Sequence, residues 1–300
     1  MIFGLSNVSY CDDSAVKFEE LCELEYLEGI FSNLRSDLGS TFEGYDFQIY
    51  SANNTKGPTQ KTSSKKTVLI YISDETMRIP EHLSDKYHAI FKCYIPVDRI
   101  GNIFSLPLGY VNGRKQSDRV EILNRDNNVF FSGNLNENRF PLYQHFNLFR
   151  YLPTWVFTRL YYRIKSKLKF NYSDYFPNSY INFTHKFNSG LSPEEYTRYL
   201  YNSKIILCPK GFTSAETFRH YEAMQSGGIV ISQRLPDVFY YKNSPIIQID
   251  SWAQLDEKVG ELIGDDDRMK KIQQQTYKWW DEVCSEKAVS KYIAQSLSQL

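Results

Sequence analysis

The chain has 300 residues, of which 42% are hydrophobic and 23% charged, with 35 basic and 35 acidic side chains. This composition is ordinary for a globular protein of two domains, and it excludes collagen-like and intrinsically disordered chains. The formal net charge of zero provides no bulk field to attract nucleic acid or anionic lipid, so a charged partner has to be recognised by a local group of residues.

The cysteines are scattered and lack the paired spacing of a metal site or a disulfide framework: Cys11, Cys22, Cys93, Cys208 and Cys284. We expect reduced thiols. Residues 1–5 carry no basic group and are followed by polar residues, so they do not resemble a secretory signal peptide. No apolar run approaches the ~20 residues that span a bilayer. These features predict a cytoplasmic protein.

The N-terminal part of the chain reads as strands separated by polar turns, with one early helix at 18–38. Residues 51–66 are polar and contain Gly and Pro, as in a long loop. Residues 112–128 are polar and charged, and we predict an interdomain linker there. A first Rossmann-like domain is therefore predicted over 1–125. The predicted strands are 1–5, 45–50, 67–73, 89–95 and 103–108.

A second Rossmann-like domain is predicted over 126–300, with helices at its C-terminal end. It begins with a strand at 129–132 and a helical region at 137–170. A strand at 180–187 precedes a helix at 193–201, where Ser192 and Glu195 form a capping-box pattern with Pro193 at the first helical position.

Residues 205–231 carry the strongest pattern in the chain, a parallel βαβ unit. An apolar run at 205–207 leads through a Pro/Gly turn to an amphipathic helix, and a second apolar run follows at 229–231. Thr213 and Glu216 match a capping box and predict that the helix begins there. Gly227 is placed to end the helix in the left-handed conformation.

Polar residues crowd the carboxyl end of the first of these two strands. In open α/β sheets ligands bind at this edge, and a helix N-terminus there favours anionic groups such as phosphate. The alternative is a solvated helix face, but a cationic and glycine-flanked strand end favours a ligand site. The residues concerned are Lys210, Thr213, Ser214, Glu216, Arg219 and Glu222.

This segment resembles the sugar-nucleotide-binding region of exostosin-like glycosyltransferases. The matching residues are Pro209, Gly211, Ser214, Arg219, Glu222, Ala223, Met224 and Gly227. The FFSGN sequence at 130–134, followed by Arg139, is similar to the opening of the same domain in that family, and LPLGY at 106–110 is a weaker match. Together these matches span about the C-terminal two thirds of the chain.

The resemblance implies a GT-B fold, an α/β architecture of two Rossmann-like domains facing a cleft, with the last helix crossing back onto the first domain. It implies that Glu222 accepts hydrogen bonds from the ribose of a nucleotide-sugar, as a carboxylate can do with both oxygens. Arg219 and Lys210 are expected to neutralise the departing diphosphate.

The remaining predicted donor-site residues are smaller or less distinctive. Gly133 would allow close approach of the backbone to the phosphates, with Arg139 beside it. Ser214 belongs to the family motif, and Glu216 would contact the donor sugar or serve only as a helix cap.

No cofactor and no metal ion are predicted. The chain has no Asp-x-Asp motif, and the acidic run 265–267 is explained by a helix start. For the catalytic base, a carboxylate or imidazole must reach the acceptor hydroxyl. Asp74, which follows the strand at 67–73, is our first candidate. The alternatives are Asp12, Asp13, Glu75 and His185.

Residues 149–170 form a basic and aromatic segment without an acidic side chain. Such a helix can lie on an anionic membrane surface, or it can be an ordinary amphipathic helix whose aromatic residues face the core. Nucleic acid is not expected as a partner, because no recognised module accompanies the basic residues.

The sequence thus predicts a glycosyltransferase that moves a sugar from a nucleotide-sugar donor to a glycan or lipid-linked glycan acceptor. Bacterial surface polysaccharide or lipopolysaccharide assembly is the expected setting, either free in the cytoplasm or peripherally on the inner face of the cell membrane. The alternatives are a retaining GT-B transferase that uses a CMP-linked donor, and a catalytically silent GT-B module that binds glycans or acts as a scaffold.

Overall fold

The computed structural model describes residues 2–52, 57–59, 64–114, 118–186 and 189–300. The chain divides into two α/β units. The first unit contains Met1–Asn112, Pro236–Lys242 and Trp280–Leu300, and the second contains Gly113–Leu235 and Asn243–Trp279.

The strands of the first unit are β1 (Val8–Tyr10), β2 (Tyr45–Ser51), β3 (Lys66–Ile72), β4 (Ala89–Lys92), β5 (Arg99–Ile100) and β6 (Ile103–Ser105). Those of the second unit are β7 (Asn127–Asn134), β8 (Tyr180–Thr184), β9 (Ser203–Cys208), β10 (Ile229–Gln233) and β11 (Ile247–Ile249). The helices are α1 (Leu24–Leu38), α2 (Phe140–His145), α3 (Thr154–Ile164), α4 (Pro193–Tyr201), α5 (Phe218–Gln225), α6 (Leu255–Ile263), α7 (Asp266–Trp279) and α8 (Glu286–Ser298).

The sheet of the first unit has the order β1-β2-β3-β4-β6-β5, and its strand pairs are parallel except for β5 with β6. Nearly every residue of β2, β3 and β4 is buried, as expected for parallel strands covered on both faces. Helices α1 and α8 pack side by side, and the Tyr26 hydroxyl of α1 donates at 2.6 Å to the carbonyl of Cys284, just before α8 begins.

The sheet of the second unit has the order β11-β10-β9-β7-β8, and its strand pairs are parallel. The chain passes from β7 to β8 on one side and then returns to place β9 on the other side of β7. The direction of winding therefore reverses between β7 and β9. In open α/β sheets this reversal leaves a crevice at the carboxyl ends of the two strands, where ligands bind.

The first predicted strand is displaced in the structure. Residues 2–5 form a turn instead, in which the Leu5 amide donates to the Ile2 carbonyl at 2.9 Å. Phe3 and Gly4 have positive φ angles of 53° and 71°, which an extended strand cannot contain. The predicted strands at 45–50, 67–73, 89–95 and 103–108 are confirmed as β2, β3, β4 and β6. Much of the polar segment 51–66 lies outside the described residues.

Residues 118–128, most of the predicted linker at 112–128, are instead part of the second unit. Ile122 is fully buried in its core. Arg125 is 2% exposed and donates to the carbonyls of Ser203, at 2.8 Å, and Ser226. The charged residues of this stretch suggested a solvated connector, but a guanidinium can be buried when backbone carbonyls accept its N–H groups. The division between the units lies at Asn112/Gly113 rather than at 125/126.

The C-terminal helices belong to different units. Helix α7 lies in the second unit and continues into a π-helical turn, Trp280–Cys284, at which the chain enters the first unit with α8. None of the helices in the described ranges has the length and apolar character required to cross a bilayer.

Candidate nucleotide site in the second unit

The predicted βαβ unit is present as β9, α5 and β10, with β9 and β10 paired in parallel from Ile205↔Ile229 onwards. The helix start was predicted wrongly. Ser214 accepts a hydrogen bond from the Glu216 amide at 3.2 Å and so extends the turn, and Thr217 is the N-cap. His220, not Glu216, completes the capping interaction, because its Nδ1 accepts from the Thr217 amide at 3.1 Å.

Gly227 ends the helix as predicted, with a φ of 67°. A Cβ atom at this position would lie 2.2 Å from Cζ of Tyr277. Both the left-handed backbone and the close aromatic ring therefore require glycine, which fixes the path from α5 into β10.

Two guanidinium groups converge on Gly133, near the carboxyl end of β7. A Cβ atom on Gly133 would lie 2.9 Å from Nη2 of Arg219 and 3.1 Å from Nη1 of Arg139. Arg139 is 5% exposed and donates from Nε to the Lys210 carbonyl at 3.1 Å and from Nη1 to the Asn134 carbonyl at 2.8 Å. It thereby links the carboxyl end of β7 to the segment after β9.

Arg219 extends from the first turn of α5 and is 9% exposed. Its Nη2 donates to the Ser132 carbonyl at 2.6 Å, and its guanidinium lies over the Phe131 ring at 5.0 Å. Burial by itself lowers the pKa of Arg219, but the neighbouring Tyr196 and Glu222 hold that pKa above its ordinary value. Arg219 therefore keeps its positive charge inside the protein.

Buried donors without a hydrogen-bond partner in the described part of the chain include Nη1 of Arg219 and Nδ2 of Asn136. Asn136 caps the short helical turn that contains Arg139. Buried N–H groups left without an acceptor are costly, and two guanidinium groups near one point repel each other. An anion with several acceptor oxygens would satisfy both requirements.

Glu222 lies one helical turn after Arg219 on α5 and is 3% exposed. Its Oε2 accepts a hydrogen bond of 3.1 Å from the hydroxyl of Tyr196, on α4. Its Oε1 lies 3.9 Å from Nε of Arg114. Arg219 donates to the same Tyr196 hydroxyl at 3.2 Å, so one tyrosine connects the buried cation to the buried carboxylate.

The other predicted donor-site residues lie in the turn between β9 and α5. Lys210 is partly exposed. Ser214 is fully buried with its hydroxyl engaged inside the turn. Glu216 is 1% exposed, and its Oε2 lies 3.4 Å from the Tyr221 hydroxyl. Lys210 is therefore the accessible charged group of the turn, while the side chains of Ser214 and Glu216 are buried within it.

Asp74, the predicted catalytic base, lies in the first unit just after β3 and is 1% exposed. Its Oδ2 is 3.2 Å from Nζ of Lys92, which is itself fully buried. Its Oδ1 accepts from the amide and the hydroxyl of Thr76 at 3.1 and 2.6 Å. A base must present an oxygen to the acceptor hydroxyl, whereas both oxygens of Asp74 face other residues of the first unit here. Asp74 forms a buried ion pair at the end of β3, and its role as the base stays a prediction.

His220 and Cys208 are buried at the same strand edge but are held uncharged. Desolvation lowers the pKa of His220 to about 3, so its ring is neutral, with Nε2 2.8 Å from the Ser232 hydroxyl. Burial raises the pKa of the Cys208 thiol to about 12. Across the described ranges, no group of three or more His, Cys, Asp or Glu side chains could hold a metal ion.

Sequence reasoning missed Arg114 and Tyr196. Arg114 stands in the charged stretch that we interpreted as a linker, and its guanidinium lies 4.2 Å from the centre of the Tyr196 ring. Tyr196 occupies an inward position of an amphipathic helix, where an aromatic residue ordinarily indicates packing. The sequence carries no signal for either role, because both depend on which helix lies beside α5.

No protein-family model and no curated protein sequence matches the chain. Solved structures do match. A point mutant of S. aureus TarM, in complex with fondaparinux, α-GlcNAc-glycerol and UDP, aligns with a TM-score of 0.50 and 10% identity over 90% of this chain. The fold is GT-B.

Two further GT-B structures align less closely. HepE of Anabaena in complex with UDP and glucose gives a TM-score of 0.49 and 11% identity, over 91% of this chain and 82% of HepE. WaaG, a glycosyltransferase involved in lipopolysaccharide biosynthesis, aligns with a TM-score of 0.46 and 10% identity, over 97% of this chain and 99% of WaaG. The chain spans 58% of TarM.

Proposed function

We propose that this protein is a glycosyltransferase that takes a nucleotide-sugar donor in its second unit. The observation that carries the proposal is the pair of buried guanidiniums at Gly133, where Nη1 of Arg219 has no acceptor among the residues that the structure describes. They lie where the winding of the sheet reverses, at the edge where α/β sheets bind nucleotides. The GT-B fold and the exostosin-like motif at 209–227 point to the same chemistry.

The chemical role of these residues follows from the charge that develops during transfer. When the glycosidic bond to the nucleotide breaks, negative charge accumulates on the departing diphosphate. Arg219 and Arg139 are already oriented by carbonyls of the sheet edge, so they can stabilise that charge without reorganising. Lys210 adds a partly exposed cation, and Glu222 offers a carboxylate to the ribose hydroxyls. We propose that this reaction needs no metal ion and no cofactor.

The alternatives differ from the proposal in what they bind and what they produce. A retaining enzyme with a CMP-linked donor would bind CMP more tightly than UDP or GDP. A silent GT-B module would bind a glycan and form no product. A thermal-shift series with UDP, GDP and CMP identifies the nucleotide, because a ligand of the native state raises its melting temperature. Product formation from the corresponding nucleotide-sugar then distinguishes an enzyme from a silent module. The absence of any nucleotide-dependent shift would contradict the proposal.

A glycan or lipid-linked glycan is the proposed acceptor, as in bacterial surface polysaccharide or lipopolysaccharide assembly, and the exposed face of α3 supports a membrane location. The helix has two different faces. Phe157, Tyr161 and Ile164 pack into the core of the second unit. Trp155 and Tyr162 are 62% and 64% exposed on the outside.

Basic residues accompany the exposed aromatic side chains. Arg159 and Arg163 are exposed at helical spacing from Trp155, and the Arg159 guanidinium lies 5.1 Å from the Trp155 ring. Leu148 and Tyr151, just before the helix, are 83% and 73% exposed. A helix with exposed aromatic residues among cations suits the headgroup region of an anionic membrane. We propose that this surface holds the enzyme peripherally at the cell membrane.

A further inference from the structure

Tyr196 connects the two charged groups of the proposed donor site, although it carries no charge. Its hydroxyl accepts from Nε of Arg219 at 3.2 Å and donates to Oε2 of Glu222 at 3.1 Å. A phenol has one proton to donate, so these two contacts together fix the direction of that proton. Burial raises the pKa of Tyr196 well above its ordinary range, and the hydroxyl therefore stays protonated as a donor.

The ring of Tyr196 is held on several sides. Helix α4 starts with a two-way capping box, in which Ser192 and Glu195 each accept from the backbone amide of the other. The ring packs edge-on against Phe130 of β7 with centroids 5.3 Å apart. Arg114 covers the ring at 4.2 Å. The ring of Tyr196 is thus held by α4, β7 and Arg114, none of which belongs to α5.

Tyr196 also orients the carboxylate of Glu222. Its hydroxyl donates to Oε2 at 3.1 Å, and the Arg114 guanidinium lies 3.9 Å from Oε1. The same tyrosine orients Arg219, whose Nη1 has no acceptor within the described residues.

We infer that Tyr196 is a positioning residue, which sets the separation between the group that binds the ribose and the group that binds the diphosphate. This inference rests on the proposed nucleotide site and deepens it. With Glu222 and Arg219 held at a fixed separation, the site recognises the ribose and the diphosphate of a nucleoside diphosphate together. Tyr196 itself does not have to touch the ligand. Its contribution to binding passes through Glu222 and Arg219.

The test is a double-mutant cycle on UDP affinity, measured by calorimetry with the full chain. Tyr196→Phe removes both hydrogen bonds but keeps the ring, and we expect UDP affinity to fall about tenfold. In a Glu222→Gln background, Tyr196→Phe should lower UDP affinity much less, because the carboxylate through which Tyr196 mainly acts is already absent. The matched control is Tyr201→Phe, on the same helix, whose hydroxyl donates to Gln225 of α5 at 3.4 Å. We expect its effect on UDP affinity to stay under about twofold.

A second variant tests positioning without altering Tyr196. Glu222→Asp keeps the carboxylate but withdraws it from the Tyr196 hydroxyl by one methylene. If geometry matters, this variant should lose nearly as much UDP affinity as Glu222→Gln; affinity near that of the wild type would overturn the inference. Unchanged UDP affinity in Tyr196→Phe would overturn it as well, and so would a loss of UDP affinity that is equal in the wild-type and Glu222→Gln backgrounds. In each of these cases, UDP binding by the wild type leaves the proposed function standing. A wild-type protein that binds none of UDP, GDP and CMP would refute both.

Discussion

Arg139 and Arg219 reach the same point of the structure from different elements. Arg139 comes from the helical turn after β7 and Arg219 from the first turn of α5, and both guanidiniums lie next to Cα of Gly133. The missing side chain of Gly133 makes this convergence possible. Like charges brought together in a buried place are unfavourable, and this supports the polyanionic ligand that we propose for the site.

The first prediction concerns Gly133→Ala. The added methyl group would lie within 3.1 Å of both guanidiniums and has to displace at least one of them. We expect a stability loss of about 1–3 kcal/mol from overpacking and a fall in UDP affinity of more than tenfold. Calorimetry measures the affinity, and thermal melting measures the stability.

Gly260→Ala is the matched control for that substitution. Gly260 lies in α6 with open space around a hypothetical Cβ, so alanine should be neutral or stabilising and leave UDP affinity unchanged. Equal UDP affinity in Gly133→Ala and the wild type would show that the two arginines do not bind the diphosphate.

The second prediction concerns metal ions. If Arg219 and Arg139 stabilise the leaving diphosphate, excess EDTA should leave sugar transfer from a nucleotide-sugar almost unchanged. Under the same conditions Arg219→Lys should lower kcat more than donor affinity, because lysine cannot reproduce the planar contacts of a guanidinium. Loss of activity in EDTA with recovery on addition of Mg²⁺ or Mn²⁺ would contradict this mechanism.

The third prediction concerns acid stability and His220. The pKa of His220 is about 3 in the folded protein, against 6.5 for the ordinary group. As the pH falls below 6.5, the unfolded chain takes up a proton that the folded chain refuses, so stability decreases with falling pH. The contribution is up to about 1.4 kcal/mol per pH unit between pH 6.5 and about 3.

His220→Gln removes this contribution to the pH dependence. The slope of unfolding free energy against pH, measured with urea, should therefore be shallower in the variant than in the wild type over that window. Identical slopes would mean that His220 ionises in the folded protein as it does in the unfolded chain.

The fourth prediction concerns the exposed face of α3. Replacing Arg159 and Arg163 by Gln should release the protein from phosphatidylglycerol vesicles, since each basic residue near such a surface contributes about 1 kcal/mol. Binding of the unmodified protein should also weaken as salt rises. Co-sedimentation at low and high salt measures both effects.

The control for the membrane surface is a pair of basic residues elsewhere in the second unit. Lys271 and Lys278 are exposed on α7, and their replacement by Gln removes the same charge without touching α3. Vesicle binding should survive this change. If the wild type does not sediment with anionic vesicles at low salt, the membrane proposal fails, while the donor site is unaffected.

The sequence alone determined the local elements with strong periodicity. The capping box at Ser192, the helix that follows it, and the βαβ unit whose helix ends at Gly227 were all predicted. Hydrophobic period, capping residues and glycine each act over a few neighbouring positions. The GT-B fold followed from the motif at 209–227 by resemblance.

Tertiary structure decided what depends on contacts between distant segments. The sequence predicted Arg125 in an interdomain linker and Asp74 as the catalytic base. In the structure Arg125 is buried among backbone carbonyls and Asp74 is buried against Lys92. Their surroundings come from strands far away in the chain, which no local pattern encodes. Tyr196 became part of the proposed site for the same reason, because only the packing of α4 beside α5 brings its hydroxyl between Arg219 and Glu222.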